Sequence, residues 1–393
     1  MATSAAQIRA YRGPALFTYG FRPFFLFGAA WAALAVLLWL PMLAGLLTIP
    51  THLSPLAWHV HELVYGYVPA AIAGFLLTAV PNWTGRLPVV GPRLAGLVAL
   101  WVLGRIAMLT SAWIGPDAAV VIDLAFLVAL TGVIAREILA GRNWRNLKVA
   151  VALGLLILGN VLFHLEALGH VAGGYGERLG IATIVLLVTL VGGRIIPSFT
   201  RNWLARQPAG RMPAGFDMFD TLVMVESGAV LALWVVLPHA PITAWLFAFV
   251  GLTHIVRLAR WAGERTLSEP LVLVLHVGYA FVPLGFLMVA AATLAPQLIL
   301  PSGALHGWTA GCFGVMTLAV MTRASLGHTG QPLTATPGIQ AIYLCAVLAA
   351  IARIVAAFGL WRQPMLDIAA LAWVLAFGGF VWVYAPLLTR RPA

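Results

Sequence analysis

An all-α, polytopic integral membrane fold follows from three properties of this chain: 62% of its 393 residues are hydrophobic, only 9% are charged, and the mean hydropathy is +0.97. Soluble domains hold about 45–50% apolar residues. A helix crosses the hydrocarbon with about 20 apolar residues and satisfies its own backbone hydrogen bonds, so apolar runs between Pro, Gly, Arg and Asn positions mark the spans. Taken in order, they predict twelve helices over 24–47, 61–81, 92–113, 118–139, 147–168, 178–197, 219–237, 242–262, 270–296, 303–321, 337–358 and 365–388. No soluble domain fits between them, so residues 1–393 read as one membrane domain. The first span follows a polar stretch of some twenty residues and has no convincing cleavage site, the pattern of a retained helix rather than a removed signal peptide.

Charge assigns the sides. The net charge is +11, but the basic residues stand singly between apolar runs, which excludes nucleic acid as a partner and fits a lipid bilayer. Alternate loops collect 19 of the 23 basic residues: Arg9, Arg12 and Arg22; Arg86 and Arg93; Arg136, Arg142, Arg145 and Lys148; Arg194, Arg201, Arg206 and Arg211; Arg257, Arg260 and Arg265; Arg323; Arg390 and Arg391. Such an excess stays in the cytoplasm, which predicts that both termini are cytoplasmic. Cys312 and Cys345 sit in apolar runs without metal-type spacing and read as small core residues.

The histidines then fall at two depths. His52, His59, His61, His164, His170 and His306 lie at the outer level; His254, His276 and His328 lie at the inner one. In WHVHELVYG (58–66), His59 and Glu62 share a helical face, whereas His59 and His61 would point about 200° apart on one helix. Both rings reach one metal only if the second helix begins at or after His61. The other reading of this stretch is an interfacial aromatic belt. The outer imidazoles His59, His61, His164 and His306 would suffice for a three-histidine copper and one haem axial ligand, with Glu62 the candidate catalytic carboxylate. His254 and His276 fall within roughly 3 Å of one depth on helices joined by a short connection. They are candidate axial ligands of one haem, or each hydrogen-bonds a carbonyl or hydroxyl on a neighbouring helix.

The inner ends of the second, sixth and tenth helices read GFLLTAVPNWTGR, LVGGRIIPSFTRNW and MTLAVMTRASLGHTG, a loose recurrence that suggests three four-helix units. Arg22, Arg194 and Arg323 on this rim, with His328, are candidates for binding a haem and its propionates; for most of the rim arginines ordinary membrane anchoring is the competing explanation. Asp123, Glu166 and Glu226 are membrane-embedded acids suited to proton relay or to pairing with Arg105 or Arg353. Met316 and Met321 read as core filling ahead of copper ligation.

Six blocks in order, GFRPFFLFG (20–28), WHVHELVYG (58–66), FLLTAVPNWTG (75–85), GGRIIPSFTRN (192–202), HVGYAFVPLG (276–285) and LAVMTRASLGHTGQPL (318–333), together resemble the NnrS family. The resemblance implies a bacterial inner-membrane protein containing haem, of the b type, and copper, associated with denitrification and tolerance of nitric oxide. It implies nitric oxide as partner, an electron donor that the sequence does not name, and binding and detoxification of nitric oxide, by reduction if the protein is an enzyme. Two alternatives remain open at this point: a transporter or handling factor for copper or haem, and a haem sensor without turnover.

Overall fold

The computed structural model describes residues 11–391; Arg9, counted above among the basic residues, lies outside them. Among the described residues there is no β-strand, and twelve helices are long and apolar enough to cross a membrane. They are α1 (Phe21–Leu43), α2 (Pro55–Thr84), α3 (Pro92–Leu109), α4 (Pro116–Ala140), α5 (Trp144–Ala167), α6 (Tyr175–Leu204), α7 (Met218–Val236), α8 (Pro241–Ala259), α9 (Pro270–Leu294), α10 (Pro301–His328), α11 (Pro337–Ala357) and α12 (Arg362–Thr389). The twelve-span prediction holds, and its boundaries move where proline lies within a helix and does not end it. Pro81 and Pro197 lie inside α2 and α6, which continue to Thr84 and Leu204. A proline removes one backbone donor, and a membrane helix packed among neighbours tolerates that loss.

At the other end of α2, Pro55 starts the helix six residues before His61. It occupies the first turn, where its missing N–H costs nothing, and the Ser54 hydroxyl accepts from the Ala57 amide at 3.3 Å. The chain then winds as a π-helix over Glu62–Tyr67 before returning to α-helix. A second π segment, Gly307–Val315, lies within α10. Each π turn widens the helix and turns the side chains that follow it, a device common at functional sites.

Contacts divide the chain into two compact units. The first comprises residues up to Gly180 with Ala324–Gln331 and the chain from Phe377; the second comprises Ile181–Arg323 and Pro332–Ala376. Within the first, α1 packs on α2, α3 on α4, and α4 on both α2 and α5. Within the second, α8 packs on α9, α9 on the π segment of α10, α10 on α11, and α7 on α8.

Arg22 shows how a buried cation is used structurally. It is 4% exposed, and its Nη1 donates to the carbonyls of Leu387, Leu388 and Arg390 at 3.3, 3.0 and 2.9 Å, closing the C-terminal end of α12.

Close helix packing depends on glycine at one junction in particular. A Cβ on Gly176 would stand 2.3 Å from the Phe163 backbone nitrogen, so the start of α6 meets α5 backbone to backbone. Gly176→Ala is expected to lower stability by about 3 kcal/mol, the upper range for overpacking, because the obstacle is main chain that cannot rotate away. Thermal unfolding in detergent, compared with the exposed control Gly132→Ala, measures it.

Candidate metal centre

In the first unit, polar side chains from five helices meet in an otherwise apolar interior. His61 and Glu62 are consecutive on α2 and both fully buried. Two adjacent positions on a regular helix point about 100° apart; here the π turn begins at Glu62 and both side chains turn inward. Asp123 comes from α4, Arg105 from α3, Asn160 and His164 from α5, and Trp31 from α1; all are buried.

The hydrogen bonds have a definite order. His61 Nδ1 faces Glu62 Oε1 at 2.9 Å, and His61 Nε2 faces Asp123 Oδ2 at 3.2 Å and Asn160 Oδ1 at 3.1 Å. The Asn160 amide donates to Asp123 Oδ2 at 2.7 Å, and His164 Nε2 meets the same oxygen at 3.1 Å. Arg105 joins the two carboxylates: Nη1 donates to Glu62 Oε2 at 2.6 Å and Nη2 to Asp123 Oδ1. Trp31 Nε1 completes the Glu62 shell at 2.8 Å. Gly66 makes room for this bridge, since a Cβ there would lie 2.3 Å from Arg105 Nη1 and 2.9 Å from Glu62 Oε2.

Ionised, these groups are two carboxylates against one guanidinium. Unpaired charge is costly away from water, so a further cation at His61 balances the cluster. Both His61 nitrogens face oxygen acceptors, an arrangement satisfied by an imidazolium, or by a proton on Nδ1 and a metal ion at Nε2. One ligand atom each from His61, Asp123 and His164 lies within 4.8 Å of the others. Ligand bonds of about 2.1 Å imply donor separations of about 3.0–3.4 Å around one ion. The 3.1 and 3.2 Å contacts of the two rings to Asp123 Oδ2 fall in this range, so each ring is spaced from the carboxylate as a ligand of a shared ion would be.

His52, in the connection before α2, stands beside this set. Its ring centroid is 6.5 Å from that of His164, and its Nδ1 contacts the Ser111 hydroxyl at 2.8 Å. Partial burial, then the nearby His164 and His61, hold its pKa below the ordinary imidazole value.

The remaining sequence candidates occupy other surroundings. His59 leaves α2 on a different face and stacks on Trp39, with centroids 3.9 Å apart, so the helix that begins at Pro55 separates it from His61. His306, in the second unit, places Nδ1 2.8 Å from the Ser302 carbonyl. His328 is exposed and stacks with Tyr19 at 5.6 Å. Arg323 lies over the Phe199 ring at 4.2 Å, and Arg194 is half-buried on α6. Glu62 spends its oxygens on Trp31, Arg105 and His61, which makes it a positioning group in this arrangement. Met316 and Met321 are buried.

Helices α8 and α9 do pack together, as their short connection predicts. Their histidines nevertheless take separate partners. His254 uses Nε2 on Ser227 Oγ at 2.9 Å and Nδ1 on the Tyr279 hydroxyl at 3.0 Å, with Phe286 stacked on its ring at 5.4 Å. His276 Nε2 meets Thr200 Oγ1 at 2.9 Å. An axial ligand needs a nitrogen open to the iron. His254 offers none in this packing, so the residues as placed do not fit one haem held between His254 and His276.

Two members of the centre escaped sequence reading. Asn160 precedes His164 by four residues, so the two share a helical face, and a lone amide in an apolar run is the signal that was available. Trp31 carried no signal, being one of fifteen tryptophans. The pairing of Asp123 with Arg105 was among the expected alternatives.

A twelve-span helical membrane protein with a buried cluster of histidines and carboxylates is the class that fold and site define. The family model described as NnrS protein matches residues 15–391, and the chain belongs to the NnrS family. A search of curated proteins found no significant match.

Removing Arg105 would leave two buried carboxylates facing each other across an apolar gap. Arg105→Met is expected to destabilise the protein by about 3–5 kcal/mol, whereas Arg86→Met, at the half-exposed pair with Glu137, is expected to cost about 0–1 kcal/mol. Parallel thermal melts of the two variants measure the contrast.

Proposed function

We propose that this protein is a bacterial inner-membrane metalloprotein of the nitric oxide response, with both termini cytoplasmic, that holds copper at His61, His164 and Asp123 and binds nitric oxide there. The family points to the nitric oxide response, and the convergence of two imidazoles on one carboxylate oxygen inside the membrane-spanning body carries the assignment of the site. Imidazole suits copper, and intramembrane ionisable groups are usually functional. When bound, the ion supplies a coordination position for a diatomic ligand and one-electron exchange.

The protein's own residues supply the rest. Asn160 donates to Asp123 and so fixes which oxygen faces the two rings. Glu62 holds His61 at Nδ1 and leaves Nε2 for the ion, the usual role of a carboxylate behind a ligating histidine. Arg105 pairs with both carboxylates without donating to the ring nitrogens. The apolar helices around the centre admit a small uncharged gas and keep out bulk water and anions. Removal of nitric oxide is the outcome this arrangement serves.

Purified protein is expected to contain copper and to change its optical and electron paramagnetic resonance spectra on adding nitric oxide. His164→Ala should lose the metal, and His61→Ala or Asp123→Ala should weaken the nitric oxide response by roughly tenfold or more. Spectra unaltered in all three variants would overturn the site. Consumption of nitric oxide at an electrode, with and without a reductant, separates turnover from sequestration.

A further inference from the structure

Two ring nitrogens beside the metal centre have no hydrogen-bond partner although both atoms are buried: His52 Nε2 and His164 Nδ1. His164 is 1% exposed, and a buried nitrogen without a partner loses hydration with nothing in return. Each of these rings is fixed from its other nitrogen. His164 Nε2 is held by Asp123 Oδ2, which leaves the lone pair at Nδ1 when Nε2 carries the proton. His52 Nδ1 is held by Ser111 Oγ, which also accepts the His52 backbone N–H at 3.0 Å and contacts Thr51 Oγ1 at 3.2 Å. With its Nδ1 proton on Ser111, His52 presents a lone pair at Nε2. The Ala112 amide donates to the Pro50 carbonyl at 2.8 Å and ties this connection to the segment after α3.

We propose that His52 Nε2 and His164 Nδ1 form a second, outer metal position that receives a cuprous ion and passes it to His61, Asp123 and the opposite nitrogen of His164. The inference rests on the metal reading of the inner centre for its destination, but its ligands are separate nitrogens. Two neutral imidazoles suit a soft monovalent ion, which accepts low coordination numbers and brings no charge that demands a carboxylate. The step is ligand exchange: two lone-pair donations break, new ones form, and the oxidation state is unchanged.

His164 imposes order on the transfer. A neutral imidazole has one lone pair, so His164 ligates at Nδ1 while Nε2–H is on Asp123, or ligates at Nε2 with the proton on Nδ1. The two positions are therefore occupied in turn. As the ion moves inward, Nε2 gives its proton to water and Nδ1 takes one from water, so the ring stays neutral and the protons balance.

Anaerobic titration of the purified full chain with Cu(I) alone, against a chromophoric chelator, tests this. Wild-type protein is expected to bind one ion. His61→Ala should still bind one, more weakly and with an absorption-edge spectrum of a two-nitrogen shell. His52→Gln should bind one at the inner centre but load more slowly by roughly tenfold, and Ser111→Ala should weaken the position trapped in His61→Ala by about the same factor. The double variant His52→Gln with His61→Ala should bind none; circular dichroism and thermal melts confirm that it folds. If His61→Ala binds nothing while wild type binds one ion, the outer position is refuted and the inner centre stands. If the double variant still binds one ion, His52 is not the ligand. If wild type binds none, both assignments fall.

Discussion

The bridge from Arg105 to Glu62 and Asp123 is the constraint around which the first unit is arranged. In an environment with almost no water, a carboxylate must be paired or neutral, and each of these acids finds the same guanidinium. The fork geometry of arginine lets one residue hold two acids from different helices, so α2, α3 and α4 are tied at one point. Two carboxylates against one guanidinium leave a single balancing charge to be met at His61. That is a setting for a cation and a poor one for an anion or an extra proton acceptor.

Building this centre needed local departures from a regular helix. The π turn at Glu62–Tyr67 brings His61 and Glu62 inward together, and Gly66, within the same turn, leaves the room that Arg105 fills. Trp101 secures the turn by donating to the Gly66 carbonyl at 2.9 Å. Backbone irregularity, small residue and long cation are thus one device.

The second unit holds its own buried polar chain, built on the same rule with different chemistry. Asp220 accepts from Arg257 Nε at 2.8 Å, Arg257 Nη1 donates to the Tyr279 hydroxyl at 2.8 Å, and that hydroxyl reaches His254, which meets Ser227. Asp220 meets Arg257 and, at 3.6 Å, Arg260, which also pairs with Asp217, so two acids face two guanidiniums and no residual negative charge awaits a metal. Gly193 provides clearance for Arg257, since a Cβ there would lie 2.1 Å from its Nη2. At the surface of this unit, Arg211 pairs with Glu264 and holds that carboxyl below its ordinary pKa, a solvent-screened contact of small consequence for stability.

Composition and the spacing of apolar runs by themselves determined the twelve spans, because hydrocarbon thickness sets a length that any crossing helix must show. They also singled out His61, His164, Asp123 and Arg105, because a polar side chain in such a run is conspicuous. Which of these residues meet was decided only by the tertiary structure. Depth along a helix follows from counting residues, whereas direction around it depends on where the helix begins and winds. The helical start at Pro55 separates His59 from His61, and His254 spends its two nitrogens on Ser227 of α7 and Tyr279 of α9. Lateral convergence is a property of packed helices, and no single run of residues encodes it.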